Sequence, residues 1–236
     1  MKTSFRDQKP DRKESLLLIL SGFFIASLVL TNLIAGRFFT LNIPFLGIDW
    51  ALSSGIIAYP VTFLITDIIS EIYGEHRAKT LVYTGFFVSV FTVIIILISI
   101  NLPIWGKSPV DGDSYNRVFG LAPGIVFGSM IAYLSAQYVD VQLFEFWRKL
   151  TNGKHLWLRN NGSTIISQLI DTTMVVVIAL IIYPKVSGTS QAISFAAALQ
   201  IIIGQYLFKA CIALIDTPFI YLFVNRINRY LGQEEN

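Results

Sequence analysis

The chain has 236 residues, of which 54% are hydrophobic and only 14% charged, and its mean hydropathy is +0.62. An ordinary globular chain has about 25% charged residues, so this composition excludes a soluble domain with a polar surface. The net charge of +3 is too small to indicate nucleic-acid binding, and the lipid bilayer is the solvent that the composition fits.

Six apolar runs have the length that a helix needs to cross a bilayer. Each run is continuous and does not alternate with polar residues, so the pattern predicts helices and not the strands of a barrel. The runs are Leu16–Gly36, Ala51–Tyr73, Thr80–Leu102, Leu121–Phe146, Ser163–Tyr183 and Ile193–Val224. The sequence therefore predicts an all-α integral membrane protein, a bundle of six transmembrane helices formed by residues 16–224, between tails of residues 1–15 and 225–236.

The distribution of lysine and arginine predicts the orientation of this bundle. Counted by loop and tail, 13 of these residues lie on the side of the two termini and four on the opposite side, while Lys209 lies inside the last run. Because positively charged loops stay in the cytoplasm, both termini are expected there. The first run follows a basic tail but ends without a signal-peptidase site, so we interpret it as a retained helix.

Two further features concern helix packing. Pro60 lies within the second run, and a proline in the middle of a helix removes a hydrogen bond, so we expect a kink there that could line a transport site. In the fourth run, Gly124, Gly128, Ala132 and Ala136 form a stripe of small residues on one helix face. Such a stripe allows close helix packing, within one chain or between two.

Ionisable and amide side chains inside the runs are the candidates for function, because they are costly in a membrane and usually face the bundle interior. Asp67 and Glu71 are four residues apart and share a helix face. Gln137 precedes Asp140 by three residues, as Gln168 precedes Asp171, so two helices each carry an amide and a carboxylate on one face. The remaining charged residues in the runs are Glu145, Lys209 and Asp216.

The estimated depths of these residues place one polar cluster between the middle of the membrane and its cytoplasmic side. Acids outnumber the one base, Lys209, by six to one. The excess indicates binding of a cation, of protons, or of a substrate rich in N–H donors, such as a planar heterocycle with an exocyclic amine. Aromatic rings from Tyr59 and Tyr133 are available to stack on such a ligand.

In the order and spacing of its motifs, the chain resembles the bacterial queuosine-precursor transporters, a family also described as vitamin-uptake transporters. The resemblance covers the second to the sixth run and so most of the chain. It rests on Tyr59-Pro60, Thr66-Asp67, Glu71, Gly74, Ala132-Tyr133, Gln137, Asp140-Val141, Phe144, Arg148, Trp157, Ser163-Thr164, Asp171-Thr172 and Lys209.

The resemblance implies a six-helix permease in the bacterial inner membrane that takes up 7-cyano-7-deazaguanine, 7-aminomethyl-7-deazaguanine or queuine for the salvage of a tRNA modification. It implies no enzymatic activity, no cofactor and no bound metal. Asp67, Gln137, Asp140, Gln168 and Asp171 are the expected recognition residues. Lys209 would pair with one of the acids or with a substrate carbonyl, and Thr164 would cap its helix or reach the ligand.

Other functions stay open at this stage. The chain could be the substrate-binding membrane subunit of an ATP-driven vitamin or nucleobase importer, which would require energy-coupling subunits. It could also be an intramembrane enzyme or a channel, although it has no His-Glu-x-x-His motif and no selectivity loop. The sequence does not decide whether the chain forms a homodimer.

Overall fold

The computed structural model describes residues 11–43, 48–152, 156–188 and 192–231. Within these ranges, six segments are helical, long and apolar enough to cross a membrane. They are Arg12–Ile34, Ser54–Tyr73, His76–Asn101, Gly112–Ala136, Ile165–Val186 and Phe195–Ile212. The predicted number and order of the spans are confirmed.

The chain is built almost entirely from helices. They are α1 Arg12–Ile34, α2 Tyr59–Tyr73, α3 Glu75–Asn101, α4 Gly112–Phe119, α5 Ala122–Leu150, α6 Leu156–Val177, α7 Tyr183–Val186 and α8 Phe195–Leu231. A 3-10 turn, Ser54–Ile57, precedes α2, and a π-helical turn, Ile178–Ile182, joins α6 to α7. One side of the bundle, on which α1 ends and α8 begins, carries the β-hairpin described next, and we call it the hairpin side. The opposite side is called the terminal side.

A β-hairpin follows α1, which the sequence did not predict. Strands β1, Phe38–Ile43, and β2, Ile48–Ser53, pair antiparallel, with Leu41 opposite Trp50. A two-stranded hairpin is marginally stable by itself, so it needs other elements to pack against. Here the side chain of Leu52 is fully buried, and β2 lies along the first turns of α8.

Pro60 does not kink a helix, and the prediction of a mid-helix kink is wrong. The second apolar run begins as β2 and the 3-10 turn, and α2 starts only at Tyr59, so Pro60 occupies the first turn of that helix. In the first turn a backbone N–H has no partner within the helix, so a proline costs nothing there. Its fixed φ angle favours the start of α2 at this point.

Two apolar clusters hold the bundle together. On the hairpin side, the start of α5, the end of α6 and the start of α8 pack together through Leu121, Ile125, Val176, Ala179, Leu180, Ala198 and Ile201. Ala35, Phe38 and Ala51 bring the end of α1 and the hairpin against this layer. The second cluster joins α1, α2 and α3 through Phe24, Ile65, Ile69, Ala78 and Leu81.

The stripe of small residues on α5 packs within the chain. A Cβ atom at Gly124 would overlap the ring of Tyr183, and one at Gly128 would lie 3.4 Å from the backbone nitrogen of Ala179. The packing interpretation is thus confirmed at these two positions. The partner segment contains Pro184, which has no N–H, and the carbonyl of Leu180 instead accepts a hydrogen bond from Ile193 N at 3.2 Å.

We expect Gly124→Ala to lower the free energy of unfolding by about 1–3 kcal/mol, because the added methyl group has to displace the Tyr183 ring. Gly22→Ala is the matched control, since among the described residues no atom outside the local backbone of α1 lies within 4 Å of its Cβ position. Thermal unfolding of the detergent-purified protein measures both. Equal stability of the two variants would contradict the close approach of α5 and Tyr183.

Candidate functional site

The candidate site is centred on an ion pair between two helices. The ammonium nitrogen of Lys209, on α8, lies 3.0 Å from Oδ2 of Asp171, on α6. The Lys209 side chain is 7% exposed and that of Asp171 is 24% exposed. A charge buried to this degree is stable in a membrane bundle only with a partner of opposite sign, so the pair fixes α6 and α8 against each other.

A third helix completes the site. The ammonium nitrogen of Lys209 lies 4.5 Å from the centroid of the Tyr59 ring, which is a cation–π contact. Tyr59 is the first residue of α2 and its ring also packs against Phe63, with centroids 4.4 Å apart. We call Tyr59, Asp171 and Lys209 the site triad.

The triad offers complementary hydrogen-bonding groups side by side. A lysine ammonium has three donor hydrogens, and Asp171 accepts only one of them. A carboxylate has about four acceptor positions, and Asp171 retains an exposed fraction through which a ligand can reach them. These groups are chemically complementary to a ligand edge that carries an acceptor next to one or two donors.

The sequence predicted all three members of the triad as substrate-binding residues, a role that stays a prediction, and pairing with an acid was one of the two expectations for Lys209. Other predicted residues lie elsewhere. Asp67 and Glu71 are exposed on α2, about two and three turns from Tyr59 towards the terminal side, and Tyr133 is 48% exposed on α5. Gln168 is half-buried on α6, one turn before Asp171. The side chains of Gln137, Asp140 and Thr164 lie outside the described residues.

Sequence reasoning gave no role to Thr172, which follows Asp171. Its side chain is 1% exposed, and its Oγ1 atom has no hydrogen-bond partner among the described residues. A threonine in a membrane helix usually donates to a carbonyl one turn earlier, as Thr66 and Thr84 do here. The Asp171-Thr172 motif was visible in the sequence, but burial of the hydroxyl was not.

A bundle of six apolar helices with an ion pair buried between them is the architecture of a polytopic membrane protein with a candidate functional site in its interior. Residues 53–223 match the family model described as "Putative vitamin uptake transporter". This match spans well over half of the chain, so the chain belongs to the vitamin uptake transporter family, as its motifs indicated. It is thus a multi-pass membrane protein that transports a small molecule, and the family assignment makes it a transporter and not an enzyme.

A named relative agrees with this assignment. The chain is 31% identical over 169 residues to a protein of Bacillus subtilis (strain 168) named "Probable queuosine precursor transporter". The alignment covers 71% of this chain and 69% of the relative. No solved structure matches the chain.

We expect Asp171→Asn to destabilise the protein by about 3 kcal/mol, the lower end of the range for breaking a buried ion pair. Lys209→Met should destabilise the protein by less than Asp171→Asn does, because the Asp171 carboxylate that it leaves unpaired is more exposed than the Lys209 ammonium. The double variant should be more stable than the sum of the two changes predicts, since neither charge then remains. Denaturant or thermal unfolding in detergent measures the three variants, and strict additivity would contradict a direct ion pair.

Proposed function

We propose that this transporter takes up queuosine precursors of the 7-deazaguanine class: 7-cyano-7-deazaguanine, 7-aminomethyl-7-deazaguanine or queuine. The motifs of the chain and the name of its Bacillus subtilis relative support this substrate class. The observation that carries the proposal is the site triad, whose donor and acceptor groups complement those on the edge of a guanine-like ring.

The proposed recognition uses the edge on which guanine carries a carbonyl oxygen, a ring N–H and an exocyclic amino group. Lys209 donates to the carbonyl oxygen, while Asp171 accepts from the ring N–H and from the amino group. Adenine carries an amino group where guanine has the carbonyl, so its donor would meet the ammonium donor. The site triad thus favours guanine-like over adenine-like rings.

The charge of the site triad favours a neutral substrate. Lys209 and Asp171 already neutralise each other, so a ligand without net charge leaves the balance unchanged. A cationic aminomethyl group would need a further carboxylate, and Asp67 or Asp140 is our proposal for that role. Gln137, Gln168, Glu71, Tyr133 and Thr164 remain proposed contacts of the substrate along its route.

We also propose that the protein lies in the bacterial plasma membrane with both termini in the cytoplasm. The excess of lysine and arginine on the terminal side supports this orientation. The hairpin then faces the outside of the cell, and substrate enters from that side.

The substrate proposal predicts that Asp171→Asn reduces uptake of labelled 7-cyano-7-deazaguanine more than tenfold, because an amide cannot accept both ligand donors. Asp113→Asn, the same change at an exposed residue of α4, should leave uptake unchanged. Excess 7-cyano-7-deazaguanine should compete for uptake, and 7-deazaadenine should not.

The double variant Asp171→Asn/Lys209→Met separates recognition from folding. It should be more stable than the sum of the single changes predicts, but it should not regain ligand binding. A thermal shift with 7-cyano-7-deazaguanine measures the binding in detergent, with guanine as the comparison ligand. If the double variant binds like the wild type, the site triad does not recognise the substrate. If the folded wild type neither binds nor transports any deazaguanine, the substrate class is wrong.

The orientation is tested by cysteine labelling in a Cys211→Ser background. A membrane-impermeant thiol reagent should label Ser108→Cys, in the loop before α4, in intact cells. Arg229→Cys, near the end of α8, should be labelled only after the cells are opened. The reverse pattern would invert the proposed topology.

A further inference from the structure

On the hairpin side, an apolar layer lies beyond the site triad. Val176 lies about 7 Å beyond Asp171 along the axis of α6, and Ile201 lies about 12 Å before Lys209 along α8. These residues pack with Leu121 and Leu180 from neighbouring segments, and all four are at most 8% exposed. This layer lies between the hairpin side of the bundle and the ion pair.

On the terminal side, polar groups of the same helix bundle are exposed. Asp67, Ser70 and Glu71 have exposed side chains although they belong to a membrane span. Exposed acids in a span normally face water and not lipid, because an ionised carboxylate is costly in hydrocarbon. The bundle thus has exposed acids towards the terminal side of α2 and a buried apolar cluster towards the hairpin side.

The hairpin packs against this side of the bundle, and Gly204 allows it to lie close to α8. A Cβ atom at Gly204, on α8, would lie 3.0 Å from the carbonyl oxygen of Ala51 and 3.6 Å from Cβ of Trp50. At the base of the hairpin, Ser53 Oγ donates a 2.8 Å hydrogen bond to the carbonyl oxygen of Ala35, the residue that follows α1. The contacts join the hairpin to two helices without a covalent link or an ion pair among these groups.

The hairpin is also connected directly to the site triad. Only the short 3-10 turn Ser54–Ile57 and one further residue separate the end of β2 from Tyr59. Any movement of β2 away from α8 therefore pulls on the residue whose ring lies over Lys209. A movement of this kind would open the layer and loosen the site triad at the same time.

We propose that the β1–β2 hairpin is the gate of the transporter on the hairpin side. When it leaves α8, the apolar layer opens and Tyr59 moves away from Lys209, so that substrate reaches the ion pair. When it docks, the layer closes behind the substrate. The identity of the substrate used below rests on the proposed function, whereas the movement of the hairpin does not.

A disulfide that holds the hairpin on α8 tests this gate. In a Cys211→Ser background, Trp50→Cys and Gly204→Cys place their Cβ atoms 3.6 Å apart, which fits the disulfide range of about 3.5–4.5 Å. The matched control is Trp50→Cys with Leu41→Cys, which links the two strands opposite each other but leaves the hairpin free of α8.

Oxidation of the Trp50→Cys/Gly204→Cys pair should reduce uptake of labelled 7-cyano-7-deazaguanine more than tenfold, and a reductant should restore it. The control pair should change less than twofold. Uptake that continues with the first disulfide fully formed would overturn the gate, as would an equal loss in the control pair.

Hydrogen–deuterium exchange tests the same movement without any substrate. We expect residues 48–57 to exchange together and faster than residues 198–208 of α8, and to become protected when the Trp50→Cys/Gly204→Cys disulfide forms. Exchange as slow as that of α8 in the uncrosslinked protein would show a static hairpin and overturn the gate. If deazaguanine uptake fails in the wild type, the substrate proposal fails and this exchange measurement still decides on the gate.

Discussion

The burial of the Lys209 ammonium is the constraint on which the rest of the structure depends. A cation with 7% of its side chain exposed, in the middle of an apolar helix, has to find a partner of opposite charge within the bundle. Asp171 supplies that charge from α6, and Tyr59 supplies the face of an aromatic ring from the first turn of α2. Because each partner comes from a different helix, one buried charge determines how three spans meet.

The apolar layer and the ion pair strengthen each other. An ion pair is weak in water and stronger where water is excluded, so the layer of Leu121, Val176, Leu180 and Ile201 raises the strength of the contact beneath it. In return, the pair holds α6 and α8 at the distance at which this layer packs. A change that admits water from the hairpin side would weaken both, which suits a closure that has to open during transport.

Much of the fold could be predicted from the sequence, because the length of an apolar run is a local property. The structure of a run is less local, and for that reason the run Ala51–Tyr73 was assigned wholly to a helix. Its first residues are as apolar as the rest, yet they form β2, because β1 is available to pair with them and α8 to pack against them. With the start of α2 moved to Tyr59, Pro60 changes from an interruption of the helix to its first turn.

The contacts of the site were only partly predictable, because they too depend on non-local packing. That Lys209 needs an acid follows from its place in an apolar run, but six acids were available, and the depth of each along its helix was known only to within a turn. Asp171 is 38 positions away in sequence, and the choice depends on how α6 and α8 cross. The burial of Thr172 and the docking contact at Gly204 depend on the same crossing geometry and on the hairpin, so no sequence pattern predicted them.

The described acids of the spans differ in exposure and in position. Counting charges alone, an unpaired carboxylate in a span appeared to require a cation, a proton or a basic substrate group. Asp67 and Glu71 have exposed side chains on α2, about two and three turns from Tyr59 towards the terminal side. Among the described acids of the spans, only Asp171 lies in contact with the buried base. The buried pair itself is therefore neutral, which is the basis of the proposed preference for an uncharged substrate.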